Sequence, residues 1–379
     1  MRLAPVVLAL AAAARAAATK CSFDDTHPKR YAAFHTAPGA ITIDGKLDEA
    51  AWGDVAWTDA FMDIEGPAHS PQPWFATRVK MRYDNEFLYV GAHLEETSVW
   101  ANQTQRNTVV FHDNDFEVFV DPTGSTHWYK EFEVNALNTT WNLLLNKPYR
   151  NGGGENSTRV DPEHGFDMFG KGMKSAVYME GKPNDPAANL TYWTVEVALP
   201  LKELAKYTPA VVPPAPNSFW RINFSRVEWW TKIVNGHYEK LPNKAEENWV
   251  WSPQYAIAMH MPERWGYVQF RPPHEAPAKD AVVPLDPEWS VRYVSFQYFY
   301  AQYAFHDANK HYASSLDELR PFFKEDPRAL PCLHVVDIAL PSQEEYQARV
   351  AVKDDVRWIA TIQSDSFISV AQRATIAWE

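Results

Sequence analysis

The segment from Asn114 to Asp121 alternates apolar and polar side chains with a period of two and ends at an Asp-Pro pair. This pattern predicts one β-strand followed by a turn, because successive side chains of a strand point to opposite faces. The even-numbered positions after Asn114 are apolar and are expected to meet a core. Asp115, Glu117 and Phe119 fall on the other face. A strand with one apolar face and one acidic, aromatic-bearing face is typical of a sheet that presents a binding surface.

Similar short runs recur between about residues 40 and 271, with turn-forming clusters between them and almost no helix-length periodicity. The predicted strands include Ala76 to Arg82, Leu88 to Leu94, Glu131 to Asn135, Thr191 to Leu199, Trp220 to Val227 and Tyr267 to Phe270. Many short strands joined by long loops predict a mainly β fold. We expect an antiparallel β-sandwich of the jelly-roll or immunoglobulin-like kind over residues 19–271.

The pattern changes after residue 271. Residues 272–288 are rich in proline and charge, which predicts a linker. The aromatic residues of Trp289 to Asn309 recur near helical spacing, which predicts an amphipathic helix whose stripe belongs to a core. Further strand candidates lie between Val335 and Val370. Residues 289–379 are therefore predicted to form a small C-terminal α+β appendage.

The first residues have the pattern of a secretory signal. Met1 and Arg2 precede an apolar run to Ala14 and small residues to Ala18, so we predict a signal peptide over 1–18 and a secreted, extracellular protein. No later segment is long and apolar enough to span a membrane. In an oxidising compartment Cys21 and Cys332 are predicted to form one disulfide, although two separate thiols remain the alternative.

Five Asn-x-Ser/Thr triplets predict a glycoprotein if the host is eukaryotic. Asn102, Asn156 and Asn189 are the expected glycosylation positions, and Asn156 beside a glycine-rich loop is the first of these. The triplet at Asn223 lies inside a strong strand pattern. We expect Asn223 to stay bare, with its amide free to bind ligand hydroxyls.

Composition and charge argue against several classes of function. The chain has 379 residues, 46% of them hydrophobic, with 16 Trp and 28 Pro, which fits a compact β-rich protein. A net charge of -12 argues against binding a nucleic-acid backbone. No Gly-x-Ser-x-Gly elbow, phosphate-binding glycine loop or His-Glu-x-x-His motif occurs.

Carboxylates cluster at Asp113, Asp115 and Glu117, and again at Glu131 and Glu133. A glycosidase needs two carboxylates at a set separation, so a glycoside hydrolase or an accessory of carbohydrate catabolism remains an alternative. Carboxylates on one strand face are more often solvated, or ligands for a cation or a hydroxyl group, than an acid/base pair, which favours binding without catalysis. A structural or adhesion protein that has lost its site is the third alternative.

Several motifs occur in the order found in carbohydrate-binding module family 9. Residues Ile43 to Trp52 resemble the start of that family's domain. Val79 to Asp84 and Leu88 to Val90 resemble its next pair of strands. Asn114 to Asp121 resembles its central strand and Thr194 to Pro200 a later strand. Trp220 to Arg226 and Trp249 to Gly266 resemble family-9-like exported proteins. The resemblance covers about Thr36 to Phe270.

The resemblance implies a β-sandwich that binds glucan- or xylan-like chains without cleaving them, by holding the sugar between two Trp rings. Carried over by position, the polar site residues are Glu117, Asn135 and Asn223. The two ring positions fall near Phe111 and Met259, and an Arg of the family is replaced by Glu133. The full Trp clamp is therefore not reproduced, and Trp251 is the candidate for a replacement ring.

The resemblance also implies structural calcium, with Asp44, Asp48 and Asp84 as candidate ligands, and no organic cofactor. A polysaccharide or oligosaccharide is the expected partner, with neither nucleic acid nor membrane.

Overall fold

The computed structural model describes residues 21–373, so the predicted signal peptide lies outside the described residues. Strands hold 32% of the described residues and helices 16%, so the chain is mainly β, as the sequence predicts. Within the described residues, no helix has the length and apolarity needed to cross a membrane.

The elements up to residue 271 are nearly all strands. They are β1 (Arg30–His35), β2 (Met62–Asp63), β3 (Thr77–Tyr83), β4 (Phe87–Glu95), β5 (Asp115–Asp121), β6 (Tyr129–Asn135), β7 (Thr140–Leu145), β8 (Glu155–Asn156), β9 (Lys174–Tyr178), β10 (Tyr192–Pro200), β11 (Phe219–Glu228), β12 (Thr231–Val234), β13 (His237–Lys240), β14 (Glu247–Val250) and β15 (Gly266–Phe270), with the one-turn helices α1 (Ala50–Gly53) and α2 (Leu201–Leu204).

The elements after residue 271 combine helices and strands. They are α3 (Trp289–Asn309), α4 (Leu316–Leu319), α5 (Ala329–Cys332), β16 (Leu333–Ala339), β17 (Gln347–Val352), β18 (Asp355–Gln363) and β19 (Ile368–Gln372). The last four strands form an antiparallel sheet in sequence order.

Thirteen strands join in one curled sheet. Eleven of them follow the order β8-β7-β6-β5-β11-β15-β1-β3-β4-β10-β9, and β14 pairs with both β11 and β2 beside this path. The sheet is mixed, which corrects the expectation of a wholly antiparallel one. β1 runs parallel to β15 over Arg30 to Ala33 and then parallel to β3 over Phe34 and His35. No hairpin joins β1 to either neighbour, so neither partner imposes an antiparallel direction on it.

One apolar core fills the inside of the curl. Phe116 and Val118 of β5 belong to the same cluster of buried side chains as Val79 of β3, Val90 of β4 and Val195 of β10. The two ends of the sheet therefore pack face to face. The opposite faces of β5, β6, β7 and β11 point away from this core.

The C-terminal region packs against the sheet through a second apolar cluster. Trp289 and Val294 of α3 meet Tyr267 of β15 in this cluster, together with Phe23 and Cys21 near the start of the described chain. The predicted disulfide between Cys21 and Cys332 is confirmed, with Cα atoms 5.5 Å apart. The α+β elements thus share a core with the large sheet.

Residues 272–288 contain no helix or strand. Their path is nonetheless fixed to the sheet. Val283 is buried in a cluster with Ala32 and Phe34 of β1, and Arg30 donates a hydrogen bond to the Val283 carbonyl. The proline-rich segment therefore has no regular secondary structure. It nevertheless packs against β1.

Candidate functional site

Three predicted site residues fall on one face of the large sheet. In the register, Asn135 of β6 lies opposite Asp115 of β5, Glu117 lies opposite Glu133, and Asn223 of β11 lies opposite Phe119. Because side chains alternate along a strand, these positions all point away from the core that holds the even-numbered residues of β5. We call Asp115, Glu117, Glu131 and Glu133 on this face the acidic group.

The acidic group is compact and almost enclosed. One oxygen atom from each of Asp115, Glu117 and Glu133 lies within 4.8 Å of the other two. Glu117 is 6% exposed, and the others are buried as well. The backbone N–H of Val227 donates to Asp115 Oδ1 at 3.2 Å, and that of Phe111 donates to Glu133 Oε2 at 3.2 Å. These bonds hold two of the carboxylates in place and tie the Phe111 turn to the sheet.

Burial sets the electrostatics of this group. Desolvation, reinforced by the charge of Glu117, raises the pKa of Asp115, Glu131 and Glu133 well above the ordinary range. Burial also raises the pKa of Glu117 to about 7, against a hydrogen bond with Ser225. Within residues 21–373 no lysine or arginine forms an ion pair with any of the four. The face therefore concentrates carboxyl groups without a cation from the protein.

A histidine lies beside the acidic group. Nε2 of His260 lies 3.9 Å from Glu131 Oε2, and Nδ1 lies 2.9 Å from the Tyr129 hydroxyl. Burial lowers the pKa of His260 to about 4, so the ring is neutral near pH 7 and does not offset the carboxylates.

Half-buried apolar side chains border the acidic group. Phe111, at the middle of the short 3₁₀ helix Val110–His112, and Met259 both pack against one cluster that includes Phe119 and Trp265. The two positions implied for the sugar-holding rings are thus brought to the same apolar cluster. Neither position carries the Trp that the resemblance implies.

Two further aromatic residues lie at this border and were not singled out from the sequence. The indole Nε1 of Trp229 donates to the Phe111 carbonyl at 2.9 Å. The Tyr149 ring is 45% exposed and lies 4.6 Å from the His260 ring. Trp229 follows β11, and Tyr149 follows β7. Loop residues have no periodic pattern, so no sequence signal places them beside β5 and β6.

Asn135 is completely buried and shapes the turn after β6. Its side-chain Nδ2 donates to Asp113 Oδ2 and to the Gln103 carbonyl, both at 2.9 Å, and its Oδ1 accepts from the N–H groups of Leu137 and Thr139. With four partners, the amide supports the loops around the acidic group.

The expectation of a free Asn223 amide is wrong. Asn223 is fully buried, its Nδ2 donates to the Ser252 carbonyl at 2.8 Å, and its Oδ1 accepts from the Ser252 N–H at 3.0 Å. This reciprocal pair fixes the segment after β14 on the sheet. The Ser252 segment covers the Asn223 amide and forms hydrogen bonds with both its nitrogen and its oxygen.

Trp251 belongs to the core, which corrects its proposed place as a sugar-stacking ring. It is 1% exposed, and a Cβ atom on Gly266 would lie only 2.3 Å from its ring. The glycine thus allows β15 to approach the indole closely. Trp265 is also fully buried.

The three calcium candidates do not come together. Asp84 already accepts from the N–H groups of Glu86 and Phe87 and from the Tyr89 hydroxyl, which makes it a turn-stabilising residue. Asp44 accepts from the N–H of Lys46, two residues on. Among the described residues, the side-chain groups with a geometry suited to a metal ion are Asp63, Glu65 and His69, and separately Asp115, Glu117 and Glu133.

Two other aromatic pairs are open to solvent. Trp74, 39% exposed, lies 4.4 Å from Trp230, and Trp128 lies 5.3 Å from Tyr207. Neither pair borders a carboxylate group of the kind found on β5 and β6. We call these two pairs the rival aromatic surfaces, because each offers exposed rings for stacking on a sugar.

Part of this chain matches a known family. Residues 43–213 match the family model described as carbohydrate family 9 binding domain-like. This range contains β5 and β6 and ends before β11. No curated protein matches the chain.

The solved structures that match this chain include proteins of two organisms. One, from Bacteroides uniformis ATCC 8492 and named as a putative carbohydrate-binding protein, has 16% identity and a TM-score of 0.46, covering 64% of this chain and 100% of its own. The other is a carbohydrate binding module family 9 of Caldicellulosiruptor kristjanssonii, solved with cellotriose and with glucose. Each of its structures has 15% identity and a TM-score of 0.39, covering 68% of this chain and 100% of that one.

Proposed function

Starting from a carbohydrate family 9 binding domain-like region over residues 43–213, we propose that this chain binds polysaccharides or oligosaccharides of the glucan or xylan type without cleaving them. The observation that carries the proposal is the outer face of β5 and β6, where carboxylates lie beside half-buried apolar side chains. For the fold, we propose a β-sandwich of the jelly-roll or immunoglobulin-like kind with a C-terminal α+β appendage. The shared core between the two ends of the curled sheet supports this.

The chemistry of the face suits a sugar. Pyranose rings have apolar C–H faces that pack on Phe111 and Met259, and hydroxyl groups that donate to carboxylates such as Glu117. Asn135 and Asn223 hold the surrounding loops in place for these contacts. The carboxylates stand side by side on neighbouring strands of one face. That arrangement favours binding over the glycosidase alternative, which needs two carboxylates flanking the scissile bond.

Titration of the protein with cellotriose and with xylotriose, by isothermal calorimetry after a glycan-array screen, tests the proposal. Phe111→Ala removes a ring from the border and should weaken binding by about 1–2 kcal/mol, roughly tenfold. Trp74→Ala is the matched control, because it removes a ring from the rival surface and should leave the affinity unchanged. Equal affinities for Phe111→Ala and the unmodified protein would contradict the proposed face, and a lack of any array signal would contradict sugar binding.

We also propose that the protein is secreted and glycosylated. Asn102 and Asn189 are exposed, and so is Asn138, whereas Asn156 is half-buried and its Oδ1 accepts from the Phe166 N–H at 2.8 Å. Asn223 is enclosed by the Ser252 segment, so a glycan has no room there.

Glycopeptide mapping of protein from a eukaryotic host should therefore find Asn223 bare. Glycans are expected at Asn102 and Asn189, with lower occupancy at Asn156 because its amide is already bonded. Substantial occupancy at Asn223 would mean that the strand β11 is not folded as described when the glycan is attached.

A further inference from the structure

We propose that a cavity between the C-terminal region and the large sheet is a second saccharide-binding site, which takes the continuation of a sugar chain bound on the outer face of β5 and β6. The cavity has a volume of about 490 Å³. Ligand sites usually measure roughly 300–1,000 Å³. Lys147, Arg150 and Asn151, which follow β7, line one part of it. The rest comes from α3 and the chain after it, the loop before β17, and the end of β18.

The walls of the cavity are fixed by polar contacts between distant parts of the chain. Nδ2 of Asn151 donates to the Asp365 carbonyl at 2.6 Å. The Arg150 guanidinium lies 2.8 Å from the buried Glu263 carboxylate, which also accepts from the Tyr300 hydroxyl of α3 at 2.5 Å. These contacts join the turn after β7 to the C-terminal region. A ligand therefore meets a preformed cavity, and little ordering is needed when it binds.

Two buried polar groups at this cavity lack a partner from the protein. The Tyr346 hydroxyl and Nε of Arg150 are both enclosed, and neither forms a hydrogen bond within residues 21–373. Tyr346 is only 2% exposed. Both groups can donate a hydrogen bond, and a buried donor without an acceptor carries a desolvation cost. The hydroxyl oxygens of a bound ligand would supply the missing acceptors.

The charges at the cavity favour a neutral ligand. Arg150 is already paired, and Nζ of Lys147 lies 3.9 Å from Asp365 Oδ2. Glu344 and Glu345 also line the cavity. A phosphate or a carboxylate would therefore be repelled by these two side chains, with no unpaired arginine to bind it. A cationic ligand would be repelled by Lys147 and Arg150.

The uncharged side chains suit a sugar. The amides of Gln347 and Gln363 offer both donors and acceptors, and Ser364 adds a hydroxyl group. Tyr303 of α3 is 49% exposed, so its ring is available to the apolar C–H face of a pyranose. An apolar ligand would cover the amides without giving them partners, which is costly. A saccharide satisfies the ring and the polar groups together.

The cavity adjoins the face that is proposed to bind sugar. Tyr149 borders that face, with its ring 4.6 Å from the His260 ring, and the next residue, Arg150, lines the cavity. The face and the cavity thus meet at the short 3₁₀ helix Tyr149–Asn151. That one sugar chain contacts both rests on the proposed function. The match to the family model ends at residue 213, so the C-terminal part of the cavity lies outside it.

Calorimetric titration of the full chain with cellotriose and with cellohexaose tests the second site. Cellohexaose should bind about tenfold more tightly, because the longer chain reaches the cavity while the shorter one occupies the face. Tyr303→Ala should reduce this preference severalfold and leave the affinity for cellotriose unchanged. A longer chain also has more positions at which to bind, so the difference between the variants, and not the preference itself, locates the cavity.

Three further variants separate contact with the ligand from a role in folding. Tyr303→Phe keeps the ring and should keep the preference for cellohexaose. Tyr346→Phe removes a hydroxyl group that has no partner within residues 21–373, so it should weaken cellohexaose binding without lowering the Tm. Trp74→Ala removes an exposed ring of a rival aromatic surface and should change neither affinity.

The proposal is overturned if the unmodified protein binds cellotriose and gains nothing from cellohexaose. It is equally overturned if Tyr303→Ala and Tyr346→Phe both keep the full preference, or if Trp74→Ala removes it. Failure of the face on β5 and β6 gives a different result. Phe111→Ala would then leave both affinities unchanged, while Tyr303→Ala would still weaken the binding of cellohexaose and so support the cavity.

Discussion

Replacing Arg226 with methionine should lower the free energy of unfolding by about 3–5 kcal/mol. The Arg226 guanidinium is fully buried and lies 2.8 Å from both Glu96 and Glu228, which are buried with it. It also donates to the Glu95 carbonyl at 2.7 Å and to Thr77. Removing the cation alone leaves two buried carboxylates without compensation, which costs more than the lost contacts. Urea unfolding at pH 7 measures the change.

A matched triple variant separates charge from packing. Arg226→Met combined with Glu96→Gln and Glu228→Gln removes all three charges while preserving the side-chain sizes. Its stability should lie well above that of Arg226→Met alone, because replacing a whole buried ion network is often nearly neutral. If the triple variant is as unstable as the single one, the stability of this site comes from packing and hydrogen bonds.

Removing the disulfide should also have a large effect. Replacing Cys21 and Cys332 with serine should lower the free energy of unfolding by on the order of 4 kcal/mol, because the bridge closes a loop with a sequence separation of 311. The bridge constrains the unfolded chain, so the native fold should persist with a lower Tm. Urea unfolding of the double variant, compared with the unmodified protein under oxidising conditions, tests this.

The unmodified protein with its bridge reduced is the control. It should unfold at nearly the same denaturant concentration as the double variant, since both lack the same constraint. A double variant as stable as the oxidised protein would show that the second apolar cluster alone fixes the C-terminal region.

Local sequence pattern was enough to predict the strand that carries the site. The alternation in Asn114 to Asp121 gives the correct faces of β5, and the register then places Glu117 and Asn135 on the outer side, as the pattern implies. The cysteine pair was also predictable, because two cysteines allow only one bridge. These features depend on neighbouring residues or on simple counting.

The burial of Asn223 and Trp251 could not be predicted in the same way. Alternation shows that Asn223 points away from the core, but it does not show that the Ser252 segment folds back over it. Trp251 is buried because β15 brings Gly266 against its ring. Whether a polar residue faces solvent or a covering loop depends on contacts between distant parts of the chain, and a single sequence does not encode these as a local pattern.

The calcium candidates illustrate the same limit. Asp44, Asp48 and Asp84 lie near turns, where aspartate more often accepts from backbone N–H groups, as Asp84 does. The acidic group on β5 and β6 was visible as a cluster in the sequence. Its near-complete enclosure, and the lack of a lysine or arginine partner for it within residues 21–373, became apparent only with the fold.

A crystal structure of the protein with cellotriose shows directly whether the outer face of β5 and β6 binds sugar. We expect sugar density on the outer face of β5 and β6, packed on Phe111 and Met259, with hydroxyl groups within hydrogen-bond distance of Glu117. Sugar bound instead at Trp74 and Trp230, or at Trp128 and Tyr207, with the face of β5 and β6 empty, would contradict sugar binding at Phe111, Met259 and Glu117.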